Sequence, residues 1–396
     1  MRGSGRPEPP ASLRPFRPPA HRSMSAATEI RHQIVGPGGE PSGHLPTYEG
    51  AFLKSLFEGM WTVRVLDARM LKLQRAGRIG FVGSTLGLEA VMAGTAAALR
   101  PTDWLWSGLR EGGAALLRGL PLSEYIAQMY CNSNDTAKGR QMCNHFQHKG
   151  TNYPSWSSVI GTQITHGVGA AFASKQRGTD EVHTIFFGDG ATSSNGFHSG
   201  MNKAAVWKVP AVFVCVDNGW AISVPSKAQT ASGSFADKAK AYGMPGYEVD
   251  GNDVLAVYEA LQALVAQARA GRGPALLVLK TYRMMGHSSS DDPTKYRDQA
   301  EVDAWADKDP IDRFERFLAR QGQLEEGGSR TVEERVTAQI DAEIHTQEAA
   351  DPMPLKSLVE DIYSEVPYHL RRQYNDFLRV AERLGDAQPG DGAFPL

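Results

Sequence analysis

Apolar positions follow two rhythms along this chain. Leu53, Leu56, Phe57, Met60, Val63, Leu66, Met70 and Leu73 recur at helical spacing, which predicts a long amphipathic helix over residues 48–75. A small-residue-rich stretch over 86–99 predicts a second helix that packs closely on a neighbour, and helical patterning continues at 113–117, 122–131 and 162–174. From residue 183 the rhythm changes. Short apolar runs at 183–187, 211–216, 247–249 and 275–281 read as buried parallel strands. Helical stretches at 197–207, 235–242 and 254–270 separate them, and Gly271, Gly273 and Pro274 end the last. This alternation predicts an α/β fold: a parallel sheet with helices on both faces. Beyond Asp291 the pattern turns helical and more polar at 309–320 and 332–348. It then breaks at 349–354 ahead of an apolar-charged tail over 358–372. Three regions are expected: an N-terminal arm (1–45), an α/β domain (46–300) and a helical C-terminal extension (301–396) that meets another subunit.

Bulk composition narrows the function. The chain has 396 residues, with 42 Lys and Arg against 44 Asp and Glu, a net charge of −2. No basic excess points to nucleic acid, and no apolar run is long enough to span a membrane. Cys131, Cys143 and Cys215 are too few and too scattered for a disulfide framework or a structural zinc site. Residues 1–23 are rich in Arg and Pro with Glu8 as the one acid, a composition loosely like a mitochondrial transit peptide. Paired prolines (Pro9-Pro10, Pro18-Pro19) oppose a helix there, and Met24 is an alternative start. The arm is expected to be disordered or extended. A bacterial cytoplasmic setting is favoured, with the mitochondrial matrix as the alternative if the arm is a transit peptide.

Chemistry concentrates at the ends of two strands. Gly188-Asp189-Gly190 follows the run at 183–187, and Asp217-Asn218 follows the run at 211–216. In open α/β sheets the carboxyl end of the strands is where ligands bind. A carboxylate and an amide oxygen, with room for phosphate oxygens and water, suit Mg²⁺, and flanking glycines let the backbone approach a bulky anion. Arg283, at the end of the last strand, would face the same corner and pair with a diphosphate. His287 follows on a Ser- and Asp-rich loop. The plainer alternatives are a Gly-Asp-Gly turn of an ordinary α/β protein and a solvated loop in which Asp291 and Asp292 cap a helix.

The stretch from Gly188-Asp189-Gly190 through Asp217-Asn218, extended by similarity over residues 51–373, resembles the alpha chain of heteromeric, thiamine-diphosphate-dependent 2-oxoacid dehydrogenases. The resemblance implies Mg²⁺ ligands at Asp189, Asn218 and the carbonyl of Trp220. It implies cofactor contacts at Arg110, Ser158, Ile160, Asp189, Gly190, Ala191, Asn218, Arg283 and His287, with His287 the catalytic histidine. His145 would line the entrance, and Ser157, Thr162 and Gln163 align with ligands of a structural K⁺. Ser158 or Thr162 would equally serve as a plain helix N-cap, and Arg110 with Glu111 as a surface ion pair. Ser288 matches a serine phosphorylated in animal members, which by itself does not imply modification here. The resemblance further implies a beta chain in an α₂β₂ heterotetramer, which supplies the carboxylate that activates the cofactor, and a lipoyl-bearing acyltransferase that receives the acyl group. The tail around Leu358–Gln373 resembles branched-chain members, implying oxidative decarboxylation of 3-methyl-2-oxobutanoate and related acids. A pyruvate or acetoin dehydrogenase alpha chain and a non-catalytic homologue are the alternatives. Four positions depart from the family pattern: Leu109 replaces a tyrosine, Asp217 an asparagine, and Ser194 and Gly196 stand where acidic residues are common.

Overall fold

The structure is a computed structural model that describes residues 32–325 and 327–384. In chain order its elements are α1 (Gly50–Arg75), α2 (Glu89–Ala98), β1 (Trp104–Trp106), α3 (Gly112–Leu117), α4 (Leu122–Tyr130), α5 (Thr162–Arg177), β2 (His183–Gly188), α6 (Asn195–Trp207) and β3 (Ala211–Asp217). A small hairpin, β4 (Trp220–Ala221) and β5 (Val224–Pro225), precedes β6 (Gly246–Asp250), α7 (Val254–Arg269) and β7 (Ala275–Lys280). The chain continues through α8 (Gln299–Ala306), α9 (Pro310–Arg320), α10 (Gly328–Glu348) and α11 (Tyr368–Leu384). The predicted parallel sheet is present, in the order β1-β2-β3-β7-β6 with every pair parallel. The stretch at 235–242 forms a 3₁₀ helix, started by a capping box between Ser234 and Asp237.

Side chains alternate across the pleat, so each strand feeds two cores. Phe186, Val212, Val214, Val216, Leu277 and Leu279 point to a large cluster with α1, α2 and α7. Ile185, Phe187, Phe213, Cys215, Leu276 and Val278 point to a second cluster with α5 and α6. Both faces being buried explains why these strands are continuous apolar runs. The small residues of α2 matter where it meets α7: a Cβ on Gly94 would stand 2.7 Å from Val257 Cγ1.

Two boundaries expected from composition lie elsewhere in the packing. Residues 1–31 of the expected arm lie outside the described residues, but Ile34 and Val35 are buried in the main core. Asp253 explains this. One carboxylate oxygen accepts from Ile34 N (2.6 Å) and Val35 N (2.7 Å), and the other caps α7 at Leu255 N and Ala256 N. At the other end, α9 and α10 do not form an appendage. Ile311, Phe314, Phe317, Val336 and Ile340 belong to the main core, so packing is continuous across residue 300. The more exposed part begins after Glu348. There Arg140 donates to the carbonyls of Ser357 and Glu360, and Lys138 pairs with Asp361, fixing the tail to the loop after α4. Tyr368 and Phe377 of α11 are exposed. No helix among the described residues is long and apolar enough to cross a membrane.

Candidate active site

The carboxyl ends of β2 and β3 open into a cleft of about 510 Å³. Asp189, in the 3₁₀ turn after β2, and Asn218, after β3, both line it. Gly190 allows close approach, because a Cβ there would meet Ala221 Cβ at 2.7 Å. Burial, and then the neighbouring charge of Asp217, push the Asp189 carboxyl up to about 7. A buried carboxylate held this high gains from a cation, and Asn218 and Trp220, which line the same cleft, carry hard oxygens, the Asn218 Oδ1 accepting from Trp220 N (3.3 Å). Among the described residues no group of three or more His, Cys, Asp or Glu side chains could hold a metal. A divalent ion at Asp189 would therefore draw further oxygens from the ligand it accompanies, which is how Mg²⁺ commonly binds. The residues present fit Mg²⁺ with a diphosphate.

Two arginines flank this corner. Arg110 is almost fully buried and lines the cleft, so the surface ion pair is not formed. Its guanidinium donates to the carbonyls of Ser84 and His287, the latter at 2.7 Å. Glu111 accepts instead from Ser107 Oγ and from Gly108 N and Arg110 N, shaping the turn that presents Arg110. Burial and the charge of Arg283 lower Arg110 to about 10. Two buried cations that disfavour each other are relieved by an anion between them. Arg283 stands beside the cleft and binds its rim, donating to the carbonyls of Trp220 (3.0 Å) and Ile222 (2.8 Å) and to Tyr296 Oη (2.7 Å).

His287 lines the same cleft from the loop after β7. Asp291 does not cap a helix; its Oδ2 accepts from His287 N (2.6 Å) and from Tyr296 Oη (2.5 Å). Asp292 caps the short turn at Pro293–Lys295. Burial, with the charges of Arg110 and Arg283, lowers the His287 imidazole to about 4, so it is neutral at pH 7.

Ser157, Ser158, Ile160, Gln163, Gly190, Ala191 and Trp220 line the cleft as well. The α5 N-cap is Gly161, with no side-chain cap. Ser158 Oγ instead bonds His145 Nε2 (2.8 Å), and Thr162 Oγ1 donates to the Val159 carbonyl (2.8 Å). Gln163 Nε2 donates to the Phe186 carbonyl (2.9 Å). Ser157 Oγ accepts from Val159 N (3.2 Å), so all three side chains aligned with the potassium ligands make hydrogen bonds, Thr162 and Gln163 as donors whose oxygens keep their lone pairs.

The departures have local reasons. Ser194 caps α6, its Oγ accepting from Phe197 N (3.2 Å). Gly196 allows the starts of α5 and α6 to touch, since a Cβ there would stand 2.7 Å from the Gly161 carbonyl oxygen. Leu109 packs on Gly83, 3.2–3.3 Å from where a Cβ would stand. Asp217 pairs with Lys280 Nζ at 2.5 Å. Lys280, Ser226 and Tyr296 were not foreseen. The one sequence signal for Lys280 is a single charge closing an otherwise apolar strand.

Residues 58–356 match the family described as dehydrogenase E1 component. The 3-methyl-2-oxobutanoate dehydrogenase subunit alpha of Mycobacterium tuberculosis is 42% identical over 309 residues, 77% of this chain and 81% of that protein. The mitochondrial 2-oxoisovalerate dehydrogenase subunit alpha of Caenorhabditis elegans is 37% identical over 340 residues, 85% of this chain and 79% of its own. The human protein of that name is 36% identical over 361 residues, 91% of this chain and 80% of its own. With Asp189, Asn218, Arg110 and His287 converging on one cleft, the chain belongs to the dehydrogenase E1 component family.

Proposed function

We propose that this chain is the alpha subunit of a branched-chain 2-oxoacid dehydrogenase, decarboxylating 3-methyl-2-oxobutanoate and related acids with thiamine diphosphate and Mg²⁺. The observation that carries the reading is the convergence of Asp189, Asn218, Trp220, Arg110 and His287 on one cleft at the strand ends. The relatives named for 3-methyl-2-oxobutanoate and 2-oxoisovalerate support the substrate class. Thiamine diphosphate, when bound, supplies the carbanion and electron sink that decarboxylation of a 2-oxoacid requires.

The chain's own residues do the rest. Asp189, Asn218 and the Trp220 carbonyl would hold Mg²⁺, while Arg110 neutralises diphosphate oxygens and Arg283 steadies the loop that carries the Trp220 carbonyl. Ser158, Ile160, Gly190 and Ala191 would wall the cofactor. His287, neutral at pH 7, offers an unprotonated ring nitrogen that accepts or returns a proton at the reacting end. Phe81, Leu88 and Leu109 give the cleft an apolar wall that suits a branched aliphatic side chain, with Met142 and Val159 exposed at its mouth. K⁺ near Ser157, Thr162 and Gln163 is a subsidiary element of the proposal.

An α₂β₂ assembly is proposed, with the beta chain completing the site and a lipoyl-bearing acyltransferase taking the acyl group. The exposed apolar side chains at the mouth, among them Ile160 and Ile222, and those of α11 support such contacts. The mycobacterial relative supports a bacterial cytoplasmic setting. The test is CO₂ release by the chain co-purified with its beta chain, given thiamine diphosphate and Mg²⁺. Faster turnover of 3-methyl-2-oxobutanoate than of pyruvate is expected. Faster turnover of pyruvate overturns the substrate, and release from neither overturns the enzymatic reading in favour of a non-catalytic subunit.

A further inference from the structure

Asp217 is a second buried carboxylate beside the metal corner. Parallel register sets Asp217 of β3 opposite Lys280 of β7, and Lys280 Nζ reaches Asp217 Oδ2 at 2.5 Å. The other oxygen, Oδ1, accepts from Ser226 Oγ at 2.6 Å, and that hydroxyl lies 3.2 Å from Asp189 Oδ2. One hydroxyl therefore stands between the proposed metal ligand and an additional carboxylate, and a lysine ammonium closes the far side. A buried carboxylate without a partner carries a large desolvation penalty and would act on Asp189 through a medium of low effective dielectric.

We propose that Asp217 and Lys280 form a charge-matched positioning pair that sets the affinity of the corner for its divalent cation. Lys280 cancels the charge of Asp217, so the cation meets the net charge of Asp189 alone, and Ser226 holds the two carboxylates in register. The pair touches neither the cleft nor the reacting atoms; neither residue lines the cavity. The proposal rests on the functional reading given above.

Opposite signs separate this role from a merely structural one. Lys280→Met leaves Asp217 unpaired next to Asp189 and attracts the cation. Asp217→Asn removes the nearest carboxylate from Lys280, leaving Glu248 as its acidic neighbour and 41% of its side chain exposed, and the remaining positive charge repels the cation. A pair that only stabilised the strand ends would weaken binding in both. The test is Mn²⁺ affinity of the αβ assembly at saturating thiamine diphosphate, read from the electron paramagnetic resonance signal of free Mn²⁺, for the unmodified protein, both single variants and Asp217→Asn/Lys280→Met. Expected are tightening of about tenfold for Lys280→Met, weakening of about tenfold for Asp217→Asn, and near-original affinity for the double variant, which needs no buried charge and remains informative if Lys280→Met fails to fold. Shifts of the same sign in the single variants, or a double variant as weak as Asp217→Asn, overturn the pair alone. Absence of saturable Mn²⁺ binding by the unmodified assembly overturns the pair together with the functional reading.

Discussion

Replacing Arg110 with Met tests how the cleft holds an anion. The Arg110 guanidinium bonds two carbonyls, of Ser84 and His287, and sits near the buried Asp67 and Arg283. Its ordinary value falls to about 10 because burial and Arg283 oppose the charge. A diphosphate reverses that opposition, so most of the interaction appears only on binding. A charge-assisted hydrogen bond contributes about 1.5–3 kcal/mol, so Arg110→Met should weaken thiamine diphosphate by roughly 10- to 150-fold. Arg110→Lys keeps a charge but loses the planar fork, so its loss should be smaller. Trp156 and Trp220 line the cleft and provide an intrinsic fluorescence readout in equilibrium titrations of the αβ assembly. An affinity for Arg110→Met within about twofold of the original would refute the anion role, since that is below 0.5 kcal/mol.

Three further outcomes are expected. Gly196→Asp would push a Cβ against the Gly161 backbone at 2.7 Å, so denaturant unfolding should register a loss of about 1–3 kcal/mol although acidic residues are common there in the family. Asp253→Ala removes the α7 cap and the acceptor for Ile34 N and Val35 N, so unfolding should show about 2–4 kcal/mol lost; a loss below about 1 kcal/mol would deny Asp253 its tethering role. The His287 imidazole, lowered to about 4 from 6.5, stays neutral on acidification until well below its ordinary value. Because the folded value lies below the unfolded one, its contribution to stability is present above 6.5 and is lost as pH falls towards 4. Histidine NMR of the cofactor-free assembly should show this titration, and an apparent value near 6.5 would contradict the partial burial of the ring near the charges of Arg110 and Arg283.

Much of the scaffold was readable because it obeys simple periodicities. Burial on both faces makes β2, β3 and β7 continuous apolar runs, and α1 and α7 carry apolar residues at helical spacing. β1 escaped because it is three residues long with both tryptophans only partly buried, and α8 because it buries no residue. The candidate site residues on strand ends, Asp189 and Asn218, were legible from their position after apolar runs, and both line the cleft. Contacts that depend on strand order were not. Asp217 looked like a departure from the family pattern, and only the adjacency of β3 and β7 brings Lys280 to it. Likewise, the sequence left Asp291 open as a helix cap, and only the loop's fold turns its carboxylate onto His287 N and Tyr296 Oη.

The most direct test of the central claim is the stoichiometry of Mg²⁺-dependent thiamine diphosphate binding by the co-purified αβ assembly, compared with the same assembly carrying Asp189→Ala. One equivalent per alpha chain, abolished by chelating Mg²⁺ and by Asp189→Ala, is the predicted result. Undiminished binding with Asp189→Ala, or no binding by the unmodified assembly, would contradict the assignment of this cleft.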